Sequence, residues 1–265
     1  MITAGVDVGS LTGKTVILKD DSIRSWSLIP TSYDSAETAK RATEEALEKL
    51  GLAVAQLDYI VSTGYGRVNV PFAHENLSEI SCHAKGATWL HSGVRTILDM
   101  GGQDCKAIKC DANGKVVDFV MNDKCAAGVG RYLEVIAHLV GIPIDKIGEF
   151  SLEFAGAPLT ISSVCTVFAR SEILRALRQG EQRNNVLAGA HDALVTRVHG
   201  LLRKVGTEKE FMVTGGIAKN IGIIRRLEQT LGLEVKTAFE PQIVGALGAA
   251  LFAQEALKKE EGRVE

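Results

Sequence analysis

The sequence lacks a long apolar run, an excess of charge of either sign and a disulfide framework. No apolar stretch approaches the roughly 20 residues that span a bilayer, and Asp7 interrupts the apolar start, so we predict neither a membrane segment nor a signal peptide. A net charge of −2 gives no electrostatic reason to expect nucleic acid or an anionic membrane as a partner. Five cysteines without framework spacing favour a reducing cytoplasm over secretion.

The 265 residues, of which 46% are hydrophobic and 23% charged, are typical of one large or two modest globular domains. The chain opens with two strand-like runs, Ile2–Val8 and Thr15–Leu18, around a glycine-rich turn. That turn, GSLTGKT, is one residue short of a P-loop and is followed by a strand rather than a helix. It therefore predicts a hairpin whose backbone N–H groups can cradle phosphate.

The pattern of this hairpin returns in residues 95–110, RTILDMGGQDCKAIKC. Both segments carry an aspartate, a glycine and a lysine at the same spacing: Asp7, Gly9 and Lys14 in the first, Asp99, Gly101 and Lys106 in the second. An internal repeat of this kind predicts two similar half-folds. Two such hairpins facing one another across a cleft would hold a polyphosphate with its Mg²⁺, for which the aspartates supply or anchor oxygen ligands.

Several later segments have recognisable patterns. Ser35–Leu50 predicts an amphipathic helix that starts at a cap-like serine, and Ser78–Gly93 predicts a second helix. Phe211–Asn220 is a strand–glycine–helix unit, whose backbone a ligand can approach. Gly245–Glu261 predicts a helix with small residues at its start, suited to close packing against a neighbour or a nucleotide. The turn Thr63–Arg67 has no chemistry that we can assign from its residues.

Two cysteines, Cys125 and Cys165, each follow polar residues suited to a helix N-cap and precede a helical pattern. A thiol at a helix N-terminus lies at the positive end of the macrodipole, which favours a thiolate for metal ligation or redox chemistry. The alternative, two small buried residues at helix starts, is less favoured because the arrangement occurs twice. Cys105 and Cys110 lie on a strand run and are interpreted as packing residues. Cys82, on a predicted helix, is interpreted in the same way.

Eight segments resemble the activator family of 2-hydroxyacyl-CoA dehydratases, which also includes ATPase subunits of benzoyl-CoA reductase and reductases of double-cubane cluster proteins. In chain order these segments are DVGSLTGK (7–14), STGYGR (62–67), SEISCHAKGA (78–87), DMGGQDCK (99–106), NDKCAAGVGR (122–131), SSVCTVFARSE (162–172), TGGIAKN (214–220) and GALGAAL (245–251). The resemblance covers nearly the whole chain. Arg170 and Val129 depart from it, because relatives often have Glu and Thr at these positions.

This resemblance implies an actin/hexokinase-like α/β ATPase fold with two related domains and a nucleotide cleft between them. We predict domain I over residues 1–94, with a C-terminal helix of about residues 245–265 packing back on it, and domain II over residues 95–244. The resemblance also implies a homodimer in which Cys125 and Cys165 of each chain ligate one bridging 4Fe–4S cluster. Such a cluster needs four thiolates, and each chain offers two good candidates.

The implied activity is ATP hydrolysis coupled to electron transfer. The chain would inject low-potential electrons into a partner iron–sulfur dehydratase or reductase, with ferredoxin or flavodoxin as the electron donor. By the same resemblance, the catalytic residues around ATP and Mg²⁺ are Asp7, Asp99 and Gln103. The nucleotide-binding residues are Gly9, Ser10, Thr12, Lys14, Gly101 and Gly102, with Gly215, Gly216, Lys219 and Gln242 on the adenosine side.

Two other functions are compatible with such a fold. A sugar kinase would use the same Asp-Gly hairpins and would need a carboxylate base such as Asp104 for an acceptor hydroxyl. A non-catalytic nucleotide switch of actin type would polymerise and hold no cluster. Neither explains Cys125 and Cys165, so we rank the electron-transfer ATPase first and the kinase second.

Overall fold

The computed structural model describes residues 1–122, 130–161 and 166–261. The chain divides into two compact units. Unit 1 contains Met1–Val94, Cys110–Val117 and the residues from Ala238 onward, and unit 2 contains Arg95–Lys109 and the described part of Asp118–Thr237. Within the described ranges, every helix is too short or too polar to cross a membrane.

Both units contain strands and helices. In chain order they are β1 (Ile2–Val8), β2 (Thr12–Lys19), β3 (Ser22–Pro30), α1 (Ser35–Glu48), β4 (Tyr59–Thr63), β5 (Glu75–Asn76), α2 (Glu79–Leu90), β6 (Thr96–Met100), β7 (Cys105–Cys110), β8 (Val116–Asn122), α3 (Gly130–Val140), α4 (Ile147–Phe150), α5 (Thr166–Arg178), α6 (Arg183–Val205), β9 (Phe211–Thr214), α7 (Ile221–Leu231), β10 (Val235–Lys236) and α8 (Val244–Glu261).

The two sheets have the same strand arrangement. The first runs β3-β2-β1-β4-β5 and the second runs β8-β7-β6-β9-β10. In each, the central strand pairs antiparallel with the next strand of the chain and parallel with a later one. The register places Asp7 opposite Lys14 and Asp99 opposite Lys106. The predicted relation between two half-folds is therefore confirmed.

The strand β3 is not predicted by apolar alternation, because two of its buried positions are serines. The hydroxyl of Ser25 donates to Ala46 O, and that of Ser27 donates to Ala42 O at 2.6 Å. Both acceptors lie on α1, whose apolar face packs against the first sheet. Buried hydroxyls that donate to backbone carbonyls avoid the cost of an unsatisfied polar group.

The predicted cap of α1 is wrong by one residue. Asp34, not Ser35, has the extended backbone of an N-cap, and its Oδ1 accepts from the N–H groups of Ala36 (2.8 Å) and Glu37 (3.4 Å). The second helix begins as predicted, with Ser78 accepting from Ser81 N–H at 3.1 Å. Aspartate and serine are both good N-caps, so only the backbone conformation separates two adjacent candidates.

The small residues at the start of α8 allow it to pack very closely inside unit 1. A Cβ on Gly5 would collide with Ala246 O, and a Cβ on Gly248 would collide with the backbone of Cys82. Gly86 of α2 is in the same situation against Val244 O. The prediction that this helix packs closely against a neighbour is confirmed, and the neighbours are β1 and α2.

Unit 2 has the larger continuous apolar core. Helices α3, α5, α6 and α7 contribute to it together with the second sheet. Buried members from five different elements include Leu98, Tyr132, Ile173, Leu194 and Val213. Burial of this kind is the main stabilising contribution, at about 25 cal/mol per Å² of apolar surface. This core supports the second hairpin and the end of β9, through buried residues such as Met100, Cys105 and Val213.

Candidate functional site

The first hairpin places a buried ion pair beside a tight turn. Lys14 Nζ lies 3.1 Å from Asp7 Oδ2, and the two side chains are only 11% and 8% exposed. The turn closes through Gly9 N–H, which donates to Thr12 O at 3.0 Å. Pairing the two charges offsets the cost of removing each from water. The hairpin thus presents a carboxylate and an ammonium at one strand end.

Glycine at position 9 leaves room beside that ammonium. A Cβ there would lie 2.9 Å from Lys14 Nζ and 3.9 Å from Asp7 Oδ1. Any larger residue would therefore crowd the charged pair from the turn side. Ser10 and Thr12, which flank the same turn, are half-buried and add hydroxyl groups next to the pair.

Two further glycines lie close to the Asp7 carboxylate, and one of them also lies beside His83. A Cβ on Gly245 would lie 2.9 Å from His83 Nε2 and 3.1 Å from Asp7 Oδ2. Gly64 has φ +86°, and a Cβ on it would collide with Asp7 Oδ1. The turn that follows β4, to which the sequence assigned no chemistry, is therefore packed against the carboxylate.

The second hairpin holds a deeper cluster of charges. Lys106 Nζ lies 3.4 Å from Asp99 Oδ2 and 2.8 Å from Asp104 Oδ1, and its side chain is 1% exposed. The turn closes through Gly101 N–H, which donates to Asp104 O at 3.0 Å, as Gly9 does in the first hairpin. Lys106 and Asp104 were not among the predicted nucleotide-binding residues, although the Asp-x6-Lys spacing of the repeat is a signal for Lys106.

The strand next to the second hairpin brings a predicted binding residue against Asp99. Thr214 Oγ1 donates to Asp99 Oδ1 at 3.1 Å. Gly215 has φ +81°, and a Cβ on it would lie 3.0 Å from Asp99 Oδ1 and would collide with Met100 O. Position 215 therefore requires glycine for two reasons, its backbone conformation and its neighbours.

The Thr-Gly pair recurs in both sheets. Thr63 is the register partner of Asp7 on β4, and Thr214 is the register partner of Asp99 on β9. Gly64 and Gly215 follow them with similar positive φ. The sequence carries a signal for this equivalence, since each strand ends at a threonine that a glycine follows. The signal can be interpreted only once β4 and β9 are known to be neighbours of β1 and β6.

The remaining predicted nucleotide residues lie at accessible positions. In unit 2, Gly102 is half-buried, whereas Gln103, Gly216 and Lys219 are exposed. In unit 1, Gln242 is half-buried on the 3₁₀ turn Pro241–Ile243. The structure thus places the predicted adenosine-side residues on both units, with only Gln242 on unit 1.

The turn of the second hairpin is tied to the start of α3. Gly130 N–H donates to Gly101 O and Arg131 N–H donates to Gly102 O, both at 3.0 Å. A Cβ on Gly130 would lie only 3.2 Å from Gly101 O, so glycine permits this approach. α3 begins five residues after Cys125 in the sequence, so a predicted phosphate-binding turn contacts the helix that follows a predicted cluster ligand.

The predicted cluster ligands, Cys125 and Cys165, lie outside the described residues. The described cysteines, Cys82, Cys105 and Cys110, are all buried, which confirms their interpretation as packing residues. Burial raises the pKa of Cys82 to about 12 and also raises the pKa of Cys105, so both remain thiols. Over the ranges 1–122, 130–161 and 166–261, no three or more His, Cys, Asp or Glu side chains are grouped so that they could hold a metal ion.

Similarity to known proteins extends over the whole of this arrangement. The BadF/BadG/BcrA/BcrD ATPase family model matches residues 4–253. The chain belongs to this family. Its relatives include the activator of lactoyl-CoA dehydratase from Anaerotignum propionicum, which is 45% identical over 98% of this chain and 100% of the relative. The predicted resemblance and the prediction of an ATPase are confirmed.

Solved structures agree with this membership. The activator of 2-hydroxyisocaproyl-CoA dehydratase from Clostridium difficile, solved with bound ADPNP, has a TM-score of 0.94 and 38% identity over 100% of this chain and 98% of that one. A ROK family glucokinase from Streptomyces griseus has a TM-score of 0.56 at 15% identity over 96% of this chain and 100% of that one, which is a likeness of fold alone. The predicted actin/hexokinase-like fold class is confirmed, and the sugar kinase alternative is not favoured.

Proposed function

We propose that this ATPase is an electron-transfer activator, which hydrolyses ATP and delivers low-potential electrons to a partner iron–sulfur enzyme. The observation that carries the proposal is that the carbonyls of Gly101 and Gly102 both accept hydrogen bonds from the start of α3. These bonds join the second Asp–Lys hairpin to the helix that follows Cys125. Similarity to dehydratase activators over the full chain supports the same function.

The nucleotide is assigned to the two hairpins and the glycine loop after β9. Asp7, Asp99 and Gln103 are the catalytic residues, and Gln103 is exposed where it can orient the attacking water. The phosphates are assigned to Gly9, Ser10, Thr12, Lys14, Gly101 and Gly102, and the adenosine side to Gly215, Gly216, Lys219 and Gln242. The room that Gly9 leaves beside the Lys14 ammonium supports the assignment of phosphate to this turn.

The same residues suit a magnesium ion. Carboxylate oxygens at two strand ends are the ligand chemistry that Mg²⁺ prefers, with several waters retained. In each hairpin a lysine occupies Oδ2 of the aspartate, so Asp7 and Asp99 are assigned to anchor the hydrated ion beside the phosphates. When bound, Mg²⁺ neutralises charge that develops on the transferred phosphoryl group.

The iron–sulfur cluster is assigned to Cys125 and Cys165 of two chains. Cluster ligands are thiolates, and burial raises the pKa of Cys82 and Cys105, which does not suit ligation. A four-thiolate cluster built from two cysteines per chain requires a homodimer with the cluster on its two-fold axis. When bound, the cluster supplies a one-electron carrier.

The partner in this proposal is an iron–sulfur dehydratase or reductase, such as a 2-hydroxyacyl-CoA dehydratase or a double-cubane cluster protein. The chain receives one electron from ferredoxin or flavodoxin and passes it on while ATP is hydrolysed to ADP and phosphate. The tie between the second hairpin and α3 offers a physical route by which the nucleotide state reaches the cysteine segment. A reducing cytoplasm suits such chemistry.

The test compares iron and sulfide content with nucleotide binding and ATP hydrolysis, all measured on protein purified without oxygen. We expect about four irons and four sulfides per two chains in the wild-type protein, with a native mass of a dimer. Cys125→Ser and Cys165→Ser should lose the iron and keep ADPNP binding. Asp7→Ala should keep the iron and lose ATP hydrolysis.

Cys110→Ser is the matched control for the cysteine variants. Its Sγ lies 3.6 Å from Val94 O and 3.7 Å from Thr88 Oγ1, so a hydroxyl in its place retains polar neighbours. We expect it to keep its iron. Full iron retention in Cys125→Ser would refute the ligand assignment, and an iron-free monomer that hydrolyses ATP would refute the electron-transfer proposal.

A further inference from the structure

A fully buried histidine links α6 to the end of the glycine loop in unit 2. His191 Nδ1 lies 2.7 Å from Leu187 O, one helical turn earlier. Its Nε2 lies 3.0 Å from Asn220 Nδ2. Asn220 is the residue that joins the 3₁₀ turn Gly216–Lys219 to α7. The ring therefore bridges the middle of the longest described helix and the loop assigned to adenosine.

The hydrogen bonds fix the tautomer of the ring. A carbonyl oxygen can only accept, so Nδ1 carries the proton and donates to Leu187 O. Both amide atoms of Asn220 lie within reach of Nε2, Nδ2 at 3.0 Å and Oδ1 at 3.2 Å. In the neutral ring Nε2 must accept, so Asn220 Nδ2–H is the donor to it. Burial lowers the pKa of His191 to about 4, with the nearby Arg226 charge acting in the same direction, so the neutral form prevails at pH 7.

The amide orientation that results is the one that caps α7. With Nδ2 directed to His191, Asn220 Oδ1 accepts from Ile223 N–H at 3.2 Å. The backbone N–H of Asn220 donates to Ile217 O at 2.8 Å, which closes the 3₁₀ turn that follows Gly215. One side chain thus sets both the start of α7 and the end of the loop.

Close packing leaves this link little freedom. A Cβ on Gly222 would lie 3.0 Å from His191 Cδ2, and a Cβ on Gly148 would lie 2.5 Å from Asn220 Oδ1. Arg226 of α7 donates to Ser151 O at 2.8 Å and pairs with Asp192, which follows His191 on α6. The ring and the amide are therefore held from α4, α6 and α7 together.

We propose that His191 is a positioning residue for nucleotide binding, which acts through Asn220 to hold Gly216 and Lys219 in the conformation that receives the nucleotide. The inference rests on the proposed nucleotide site. A loop held in its bound conformation pays less conformational entropy on binding, so losing the link weakens affinity without touching the groups that act on the phosphates.

The experiment compares four variants of the whole chain by calorimetric titration with ADPNP and by ATPase kinetics. His191→Leu removes the acceptor, whereas His191→Gln keeps a side-chain oxygen directed at Asn220. Asn220→Ser keeps an N-cap oxygen for α7 but is too short to reach His191. The double variant His191→Leu/Asn220→Ser measures whether the two residues act as one unit.

We expect about a tenfold higher Kd for ADPNP in His191→Leu, the size of one or two lost hydrogen bonds. Asn220→Ser and the double variant should match it, and His191→Gln should stay near the wild-type Kd. KM for ATP should rise in parallel while kcat is kept, which a general loss of structure would not produce. If His191→Leu does not fold, the Kd of Asn220→Ser decides the matter.

Wild-type ADPNP affinity in Asn220→Ser would overturn the positioning role while leaving the proposed function intact. Equal weakening in His191→Gln and His191→Leu would also overturn it, because the retained acceptor would then have no effect. A wild-type chain that binds no ADPNP would instead overturn the proposed function and this inference with it. The controls therefore separate the two failures.

Discussion

The two hairpins share a backbone plan and differ in how their charges are held. In the first, Lys14 pairs with one carboxylate, and the pair retains some exposure. In the second, Lys106 is almost completely buried between two carboxylates, Asp99 and Asp104. The repeated motif therefore holds its lysine with one carboxylate in the first hairpin and with two in the second. The comparison shows that the second hairpin holds the more deeply buried cation, paired with two carboxylates instead of one.

The turns of the two hairpins are also anchored to different segments. The carbonyl of Gly9 accepts from Thr31 Oγ1 at 2.9 Å, and Thr31 lies between β3 and α1. The equivalent carbonyl of Gly101 accepts from Gly130 N–H at the start of α3. The equivalent carbonyls of the two turns therefore bind donors from different segments of the chain. Only the donor to Gly101 belongs to a helix that follows a predicted cluster cysteine in the sequence.

The largest expected difference concerns the two lysines. Lys106→Met should lower the free energy of unfolding by about 3–5 kcal/mol, because it leaves the buried Asp99 without its cation. Lys14→Met should cost less, because Lys14 pairs with one carboxylate instead of two and its side chain is 11% exposed, against 1% for Lys106. Urea denaturation of both variants at pH 7 measures the difference. Equal losses of unfolding free energy in the two variants would contradict the claim that the second hairpin depends more on its lysine.

A smaller difference is expected for the two threonines. Thr214→Val removes a donor to the carboxylate of Asp99 and should cost about 1.5–3 kcal/mol, as for other hydrogen bonds to charged groups. Thr63→Val removes a donor to the Leu77 carbonyl and should cost about 0.5–1.5 kcal/mol. Thermal or urea unfolding compares them. A larger loss in Thr63→Val would reverse the comparison.

The smallest effect is expected at the turn anchor. Gly130→Ala should displace the Gly101–Gly102 turn and raise the Kd for ADPNP about fivefold, corresponding to about 1 kcal/mol of overpacking. Gly200→Ala is the matched control, because position 200 is helical, exposed and without neighbours within 4 Å of a Cβ. Calorimetry with ADPNP distinguishes them. Unchanged affinity in Gly130→Ala would contradict the claim that the contact between the Gly101–Gly102 turn and α3 affects nucleotide binding.

How much of the site the sequence predicts depends on how local each feature is. The Asp–Lys repeat is predictable because each aspartate faces its lysine across a short turn, seven positions along the chain. Gly64 is not predictable, because its neighbour Asp7 lies 57 positions away and the parallel register of β1 and β4 brings them together. The role of Asn220 is hidden for the same reason, since its partner His191 is on another helix.

Local patterns also have limits in the fold itself. Apolar alternation misses β3, because Ser25 and Ser27 are buried only by virtue of acceptors on α1. The choice between Asp34 and Ser35 as the cap of α1 depends on backbone angles that adjacent polar residues do not specify. The close packing of α8 is predicted well, because the small residues at its start are visible in the sequence and their size alone permits the approach.

The most direct test of the account is the ATPase rate of Asp7→Asn and Asp99→Asn, measured beside the wild-type chain. Asp21→Asn is the control, because Asp21 is exposed and has a positive φ that asparagine tolerates. We predict that both hairpin variants lose hydrolysis by about 10²–10³-fold, the usual cost of removing one preorganised electrostatic group, while the control keeps it. Hydrolysis at the wild-type rate in either hairpin variant would contradict the claim that both repeats serve ATP.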